Sequence, residues 1–508
     1  MDSVAKAPVR TAEDVAALRN LGALLAPAGQ DPCLIEVDPD STGPATEITR
    51  ARLGAAVGAV AAQLQARGLA PGARVGLISG NRWEYIAAYL GIMAAGFVAV
   101  PVNFKLPRDT VTWLCGDAEM QLVFTDDARR DLCPAGPAQI NFDHDWAALE
   151  AAGGSTAATL PAPGADAMIL YTSGSTSLPK GVPLSHDGQL WALRNRLHNS
   201  PAYGSNRVIA AAPLYHMNAL FTAKVALASG ARLVLMRRFD AAGFVTAISD
   251  HDVTMVTSVP TMIALALREA EALAAADLSG VRFVGMGSAP VTEQLVKATK
   301  AAFPNAIVSL GYGTTESGPC AFGAHPEGLP RPALSLGYPL PDVDLQLRGG
   351  ETRGELLIRT PAVMRGYLNN AEKTASVLDA EGWYATGDLM RRDAEGFFYF
   401  VGRADNMFTC GGENIYPENV EDMLNRHPGV AQACVVPVPD EVKGQKPVAF
   451  VVPQGTPTEA EIRSFALENG PSYQHPRRVI FLEEMPLAGT NKVDRAALTR
   501  RAADEAAT

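Results

Sequence analysis

Six cysteines are spread over 508 residues, and none forms a Cys-x-x-Cys pair. Cys33, Cys115, Cys133, Cys320, Cys410 and Cys434 therefore read as reduced thiols, which sets aside a disulfide scaffold and a cysteine-based zinc site. The chain also lacks an excess of basic charge. Its 43 Lys and Arg against 54 Asp and Glu leave a formal net charge of -11, which disfavours nucleic acid as a partner. Clean hydrophobic runs of membrane length are scarce too. The nearest approach, residues 86–102, is uncharged but carries Gly91, Gly96 and Pro101. It reads as a buried helix followed by a buried strand, not as a membrane span. Met1-Asp-Ser-Val-Ala-Lys6 lacks the basic-then-apolar order of a signal peptide, so a cytoplasmic location is the expectation.

What is present is the composition of a soluble globular protein, 47% hydrophobic and 19% charged, long enough for several domains. A helix pattern over 52–67, a strand at 75–79, a helix from Trp83 and a strand at 98–102 form a first block. A second block has strand patterns at 168–171, 208–212, 232–236, 253–258, 281–285 and 307–310, most separated by helix-length segments such as 262–274 and 291–303. Short apolar strands alternating with helices imply parallel sheets covered on both faces. Residues 151–165, rich in Ala, Gly and Pro, read as a connector. Between 335 and 400, short strands at 343–347, 355–358 and 397–401 suggest a small β-barrel. The expected fold is α/β: a large N-terminal domain, 1–403, of two parallel-sheet subdomains plus that barrel, then a small mobile α+β domain, 404–508.

Five segments carry chemistry. Tyr171-Thr-Ser-Gly-Ser-Thr-Ser-Leu-Pro-Lys-Gly181 follows a strand pattern and offers hydroxyls, glycines and one lysine, which can surround a polyphosphate. The spacing from Gly174 to Lys180 is not that of a Walker loop, and the plain alternative is a flexible surface turn. In Gly311-Tyr-Gly-Thr-Thr-Glu316, a flat ring can meet a base, hydroxyls a phosphate and a carboxylate a magnesium ion; a helix cap is the ordinary reading of the fragment alone. Tyr384-Ala-Thr-Gly-Asp388 sets a carboxylate in a glycine turn, where it can accept from two ribose hydroxyls. Gly402-Arg-Ala-Asp-Asn-Met-Phe-Thr-Cys-Gly-Gly-Glu-Asn-Ile-Tyr-Pro417 contains charged residues and a glycine pair that allows close backbone approach. Within it Cys410 has no basic sequence neighbour and reads as a passive buried thiol. The fifth segment is Leu487-Ala-Gly-Thr-Asn-Lys-Val-Asp-Arg495, whose Lys492 taken alone is a solvated charge.

Together, in this order, the five segments resemble the signature motifs of the adenylate-forming superfamily, which includes acyl- and aryl-CoA ligases, luciferase and peptide-synthetase adenylation domains. The resemblance spans Val75 to Arg495 and implies ATP, Mg2+ and coenzyme A as cofactors. It assigns Thr172, Ser173, Gly174, Ser175, Thr176 and Lys180 to the β- and γ-phosphates. Ser288, Ala289, Pro290, Gly311, Tyr312, Gly313, Thr314 and Thr315 would line the nucleotide site, with Glu316 on the metal. Asp388 would bind the ribose, Arg403 the ribose or phosphate, and Asp405 would be the hinge. Gly411 and Gly412 would line a pantetheine tunnel, and Lys492 would be swung in to neutralise the carboxylate and α-phosphate. Ser177 and Asn491 depart from the commoner glycines.

In relatives, the acyl pocket is lined by the segments that here hold His216, Met217 and Asn218, Gly285 and Gly287, and Gly313. Amino-acid-activating relatives carry an aspartate where this chain has His216, Met217 and Asn218, so an amino acid is not the expected substrate. His216 is a candidate gate, with a core histidine as the alternative. Several stretches resemble benzoate-type and hydroxycinnamate ligases, pointing to an aromatic or medium-length carboxylic acid. The implied enzyme is an AMP-forming acid–thiol ligase. Two alternatives stay open: loading of a carrier-protein thiol, and a non-catalytic nucleotide-binding paralogue. A homodimer is compatible with the sequence.

Overall fold

The computed structural model describes residues 10–506 except 26–28, 42, 155–156, 173–177, 201, 320, 411 and 489–491. The chain divides into two compact units. One comprises Met1–Ser288, Thr299–Ala321 and Arg359–Tyr384; the other comprises Ala289–Ala298, Phe322–Ile358 and Ala385–Thr508.

The first unit contains two sheets. The six-stranded sheet runs in the order Ala138–Asn141, Leu122–Thr125, Arg74–Ile78, Val98–Pro101, Asp166–Thr172, Lys180–Ser185. The seven-stranded sheet runs Ile307–Gly311, Phe283–Gly287, Met255–Ser258, Arg207–Ala210, Arg232–Met236, Pro32–Val37, Thr46–Thr49. Both are parallel except at one edge, where Lys180–Ser185 returns antiparallel to Asp166–Thr172 and Thr46–Thr49 returns antiparallel to Pro32–Val37. The sheets are therefore mixed, which the sequence pattern did not show. A short connection such as 173–179 cannot make a parallel crossover, so the chain doubles back.

Helix Arg50–Gln65 starts at Thr49, whose side chain accepts from Arg52 N, and buries Leu53, Val57, Val60 and Leu64 at helical spacing. Burying each such side chain contributes roughly 1.5–3 kcal/mol. It packs closely on helix Trp83–Ala94: a Cβ at Gly91 would lie 2.6 Å from Val60 Cβ. Trp83–Ala94 and strand Val98–Pro101 are the buried helix and strand expected over 86–102. The segment 262–274 divides into helices Pro260–Ala266 and Ala270–Ala275, the first beginning at a proline that suits a helix N-terminus.

The second unit holds a four-stranded sheet, Asp344–Arg348, Arg353–Arg359, Tyr384–Arg392 and Phe398–Arg403, and a two-stranded ribbon, Phe322–Gly323 with Tyr338–Pro339. A five-stranded sheet follows, in which Val430–Asp440 and Gly444–Pro453 form a long antiparallel pair. Helix Pro417–Leu424 covers it, burying Val420, Met423 and Leu424 in a core with Val435 and Val451. Among the described residues, no helix is long and apolar enough to cross a membrane. Cys33, Cys115, Cys133, Cys410 and Cys434 are buried free thiols, and burial raises Cys33 to about 11 and Cys115 to about 12. Cys320 lies outside the described residues.

Candidate active site

Thr172 and Lys180 are register partners at the turn end of the antiparallel hairpin Asp166–Thr172 and Lys180–Ser185. The expected phosphate loop is thus a hairpin connection. Its Ser173, Gly174, Ser175, Thr176 and Ser177 lie outside the described residues. At its base, Thr172 Oγ1 is buried with no hydrogen-bond partner among the described residues, a donor suited to an anion. Gly181 lets another segment approach: a Cβ there would lie 3.0 Å from Leu368 Cβ.

The strand Ile307–Gly311 delivers the second motif. Tyr312, Gly313, Thr314 and Thr315 are half-buried and Glu316 is buried. Thr314 Oγ1 lies 2.9 Å from Ser317 Oγ and accepts from Ser317 N at 3.0 Å, which closes the turn. Gly313 is required by contact, since a Cβ would sit 2.6 Å from Gly318 O. Glu316 Oε1 accepts from the Tyr367 hydroxyl at 3.0 Å, and Lys180 Nζ stands 5.4 Å from the centroid of the same ring. Tyr367 thereby joins the lysine of the first motif to the carboxylate of the second. Ser288 follows strand Phe283–Gly287 in a left-handed conformation, φ 68°, a strained backbone of the kind that clusters at functional sites.

On the acyl side, His216 is the N-cap residue of helix Met217–Ser229 and meets the Tyr215 ring edge-on at 4.5 Å; Met217 and Asn218 open the first turn. Asn81, 5% exposed, holds this approach in place. Its Nδ2 donates to Ala212 O and Met236 O, each at 3.0 Å, and its Oδ1 accepts from Leu214 N at 2.8 Å. Asn81 follows a strand of the six-stranded sheet, whereas Met236 ends a strand of the seven-stranded one and Ala212 and Leu214 follow another. Gly285 and Gly287 lie on one face of Phe283–Gly287, and the Phe283 ring occupies the space a Gly285 side chain would take.

In the second unit, Asp388, Arg403 and Asp405 come together. Arg403 Nη1 donates to Asp388 Oδ1 at 2.9 Å and to Thr386 O at 3.0 Å. Its Nε and Nη2 donate to the two oxygens of Asp405, each at 2.9 Å. The bonds to Asp405, with the charge of Asp388, hold the guanidinium pKa above its ordinary value against the effect of burial. Ala289 and Pro290 lie in the turn before helix Glu293–Ala302. Gly412, φ 88°, turns the chain between Phe408–Cys410 and Glu413–Ile415, while Gly411 lies outside the described residues.

Lys492 is exposed on a narrow hairpin. Its carbonyl accepts from Ala488 N at 2.7 Å, Leu487 bridges Val493, and Asp494 N donates to Pro486 O at 2.8 Å. Arg495 anchors the base, donating to Glu421 Oε2 at 2.6 Å and to Val435 O at 3.0 Å. Asn491 is outside the described residues. Sequence reasoning missed Asn81, Tyr367 and Arg495 as supports. Nothing local marks them, because each acts through partners 51 to 155 residues away in the chain.

Residues 27–368 match the family described as AMP-binding enzyme, and residues 419–492 match the AMP-binding enzyme C-terminal domain. The chain belongs to this family, the adenylate-forming superfamily of acyl- and aryl-CoA ligases. It is 31% identical to an indoleacetate–CoA ligase of Aromatoleum aromaticum over 89% of this chain and 92% of that one. It superposes on the anthranilate CoA ligase AuaEII in complex with anthranoyl-AMP at a TM-score of 0.86, with 25% identity and 98% of each chain covered. ATP-bound MatB from Rhodopseudomonas palustris is similar at a TM-score of 0.85, 26% identity, covering 98% of this chain and 100% of that one.

Proposed function

We propose that the protein is an ATP-dependent carboxylic acid:CoA ligase for an aromatic or medium-length organic acid, acting in the cytoplasm. It forms an acyl-adenylate and pyrophosphate, then an acyl-CoA and AMP. The observation that carries this reading is the meeting of Lys180 and Glu316 on Tyr367, with the buried Thr172 hydroxyl on the residue paired with Lys180. Cation, donor and carboxylate together fit a metal-bound triphosphate. The aromatic acids named for two similar proteins, indoleacetate and anthranilate, support the substrate class.

A carboxylate is a poor acyl donor because oxide would have to leave. Its attack on the α-phosphorus makes AMP the later leaving group. Two anions must meet, so cations at the phosphates lower the barrier. Lys180 and Thr172 hold the terminal phosphates, and Lys492 meets the carboxylate and α-phosphate. Asp388 accepts from the ribose hydroxyls. No cluster of three metal-ligating side chains exists among the described residues. One carboxylate with phosphate oxygens and water suits Mg2+, which takes few protein ligands, so Glu316 would hold it. The ion would supply charge neutralisation to the leaving pyrophosphate. His216 and Asn218 would frame the acyl group. In the second step, residues 404–508 turn about Asp405, withdrawing Lys492 and bringing the Gly411–Gly412 turn to the thiol.

The test is AMP and pyrophosphate release across aryl, cinnamyl and aliphatic acids, with and without CoA. CoA-dependent turnover on one chemical class is the expected result. Adenylate formation without CoA turnover would point to a carrier-protein thiol, and no acid-dependent pyrophosphate release would overturn the reading.

A further inference from the structure

We propose that Tyr367 is a positioning residue for the first half-reaction, orienting the Glu316 carboxylate for a phosphate-bound divalent cation and linking it to Lys180. The inference rests on the adenylating function above and adds a residue that lies in none of the five motifs.

The segment 364–368 is tied at both ends to those motifs. Met364 N donates to Glu316 O at 2.7 Å, and Leu368 N donates to Gly181 O at 2.8 Å. One end therefore holds the residue that carries the carboxylate, and the other holds the residue next to Lys180. Tyr367 N donates to Thr374 Oγ1 at 2.9 Å, which fixes the backbone from a third side. The ring is 8% exposed. Its edge ends in the bond to Glu316 Oε1, and its face receives the Lys180 ammonium.

This geometry does what packing alone would not. The last torsion of a glutamate side chain is broad and roughly two-fold, so an unheld carboxylate samples many orientations. A phenol bonded to Oε1 fixes that torsion and leaves Oε2 for a cation. Because the phenol is neutral, it does not compete with the metal for charge. Ordering the ligand before binding lowers the entropic cost of binding. Lys180 over the ring adds a cation–π contact that keeps the ammonium near the phosphate site before ATP arrives. If the ring served only as filler, phenylalanine would serve equally well.

Tyr367→Phe separates the two roles, since it keeps the ring and removes one oxygen. Calorimetric titration with ATP, in Mg2+ and in chelator, gives a readout independent of turnover. We expect metal-free ATP affinity within about twofold of wild type and a roughly tenfold smaller gain from Mg2+, the size of one hydrogen bond to a charged group. Acid-dependent pyrophosphate release should need about tenfold more Mg2+, with thioester formation from pre-made acyl-adenylate unchanged. In a Glu316→Gln background the substitution should add nothing. An unchanged Mg2+ gain in Tyr367→Phe, with the gain lost in Glu316→Gln, would overturn the role of Tyr367 and leave the ligase reading standing. Equal loss in both half-reactions at normal Mg2+ dependence would reduce Tyr367 to packing. Full Mg2+ dependence in Glu316→Gln would remove the metal assignment beneath both.

Discussion

Lys180 and Lys492 are held in opposite ways. Lys180 sits in a sheet strand, its neighbour Gly181 bonded to a second segment and its ammonium set over a buried ring. Lys492 stands exposed on a hairpin whose base is held by Arg495 and short backbone bonds. A group that only has to bind the incoming triphosphate can be built into a sheet. A group that must be withdrawn before the thiol arrives is better carried on an exposed turn, as the proposed rotation about Asp405 requires. The contrast fits the proposed division between binding the terminal phosphates and driving adenylation.

The sharpest way to break this comparison is Lys492→Ala. Adenylation, followed as acid-dependent pyrophosphate release, should fall about 100- to 1000-fold, the usual cost of losing one preorganised charge contact. Thioester formation from pre-made acyl-adenylate should persist, and equal loss of both would erase the distinction between the lysines. Asp405→Pro comes next. Restricting φ at the proposed pivot should cut thioester formation at least about tenfold while sparing the adenylating step. Single-turnover measurement of each half-reaction checks it, and an unchanged second step would move the hinge elsewhere.

A smaller effect is expected at Asn81→Ala. Losing three buried bonds to the approach of His216 should raise KM for the acid about tenfold and leave KM for ATP within about twofold. Steady-state kinetics in both substrates decides, and a parallel rise in both would make Asn81 a general support. The last case is a lysine with no site at all. Lys224, 2% exposed, donates to Gln189 Oε1 at 2.6 Å, and burial lowers its pKa from 10.5 to about 7. An amine depressed in the fold destabilises it when protonated. The penalty is absent above 10.5, grows as pH falls toward about 7, and is complete below that. Lys224→Met combined with Gln189→Leu should therefore stabilise the protein by roughly 1–3 kcal/mol at pH 6, and by less at pH 9. Denaturant unfolding at the two pH values measures it. A pH-independent change would show that packing, not charge, governs this lysine.

Much of the fold was legible because buried strands are short, apolar and bounded by turns. Arg232–Met236 coincides with its sequence pattern, and Trp83–Ala94 with Val98–Pro101 matches the run at 86–102. Pro32–Val37 and Thr46–Thr49 were not anticipated, since Glu36, Glu47 and the threonines dilute the apolar signal. The return strand Lys180–Ser185 was hidden by Pro183 and by the polar loop before it. In the candidate site, the motifs gave residue types and order, while their supports were silent. Asn81 looks like a turn residue and Tyr367 like one more aromatic, until the chain brings distant carbonyls and a carboxylate to them.

By itself the sequence determined the family, the order of the motifs and the chemical groups offered to ATP, because those depend on local residue types at short spacing. Only the tertiary structure decided that Thr172 pairs with Lys180, that Arg403 spans Asp388 and Asp405, and that Tyr367 joins Lys180 to Glu316. These are bonds between segments far apart in the chain. Their partners are chosen by how strands and helices pack to bury apolar surface, which no short stretch of sequence encodes.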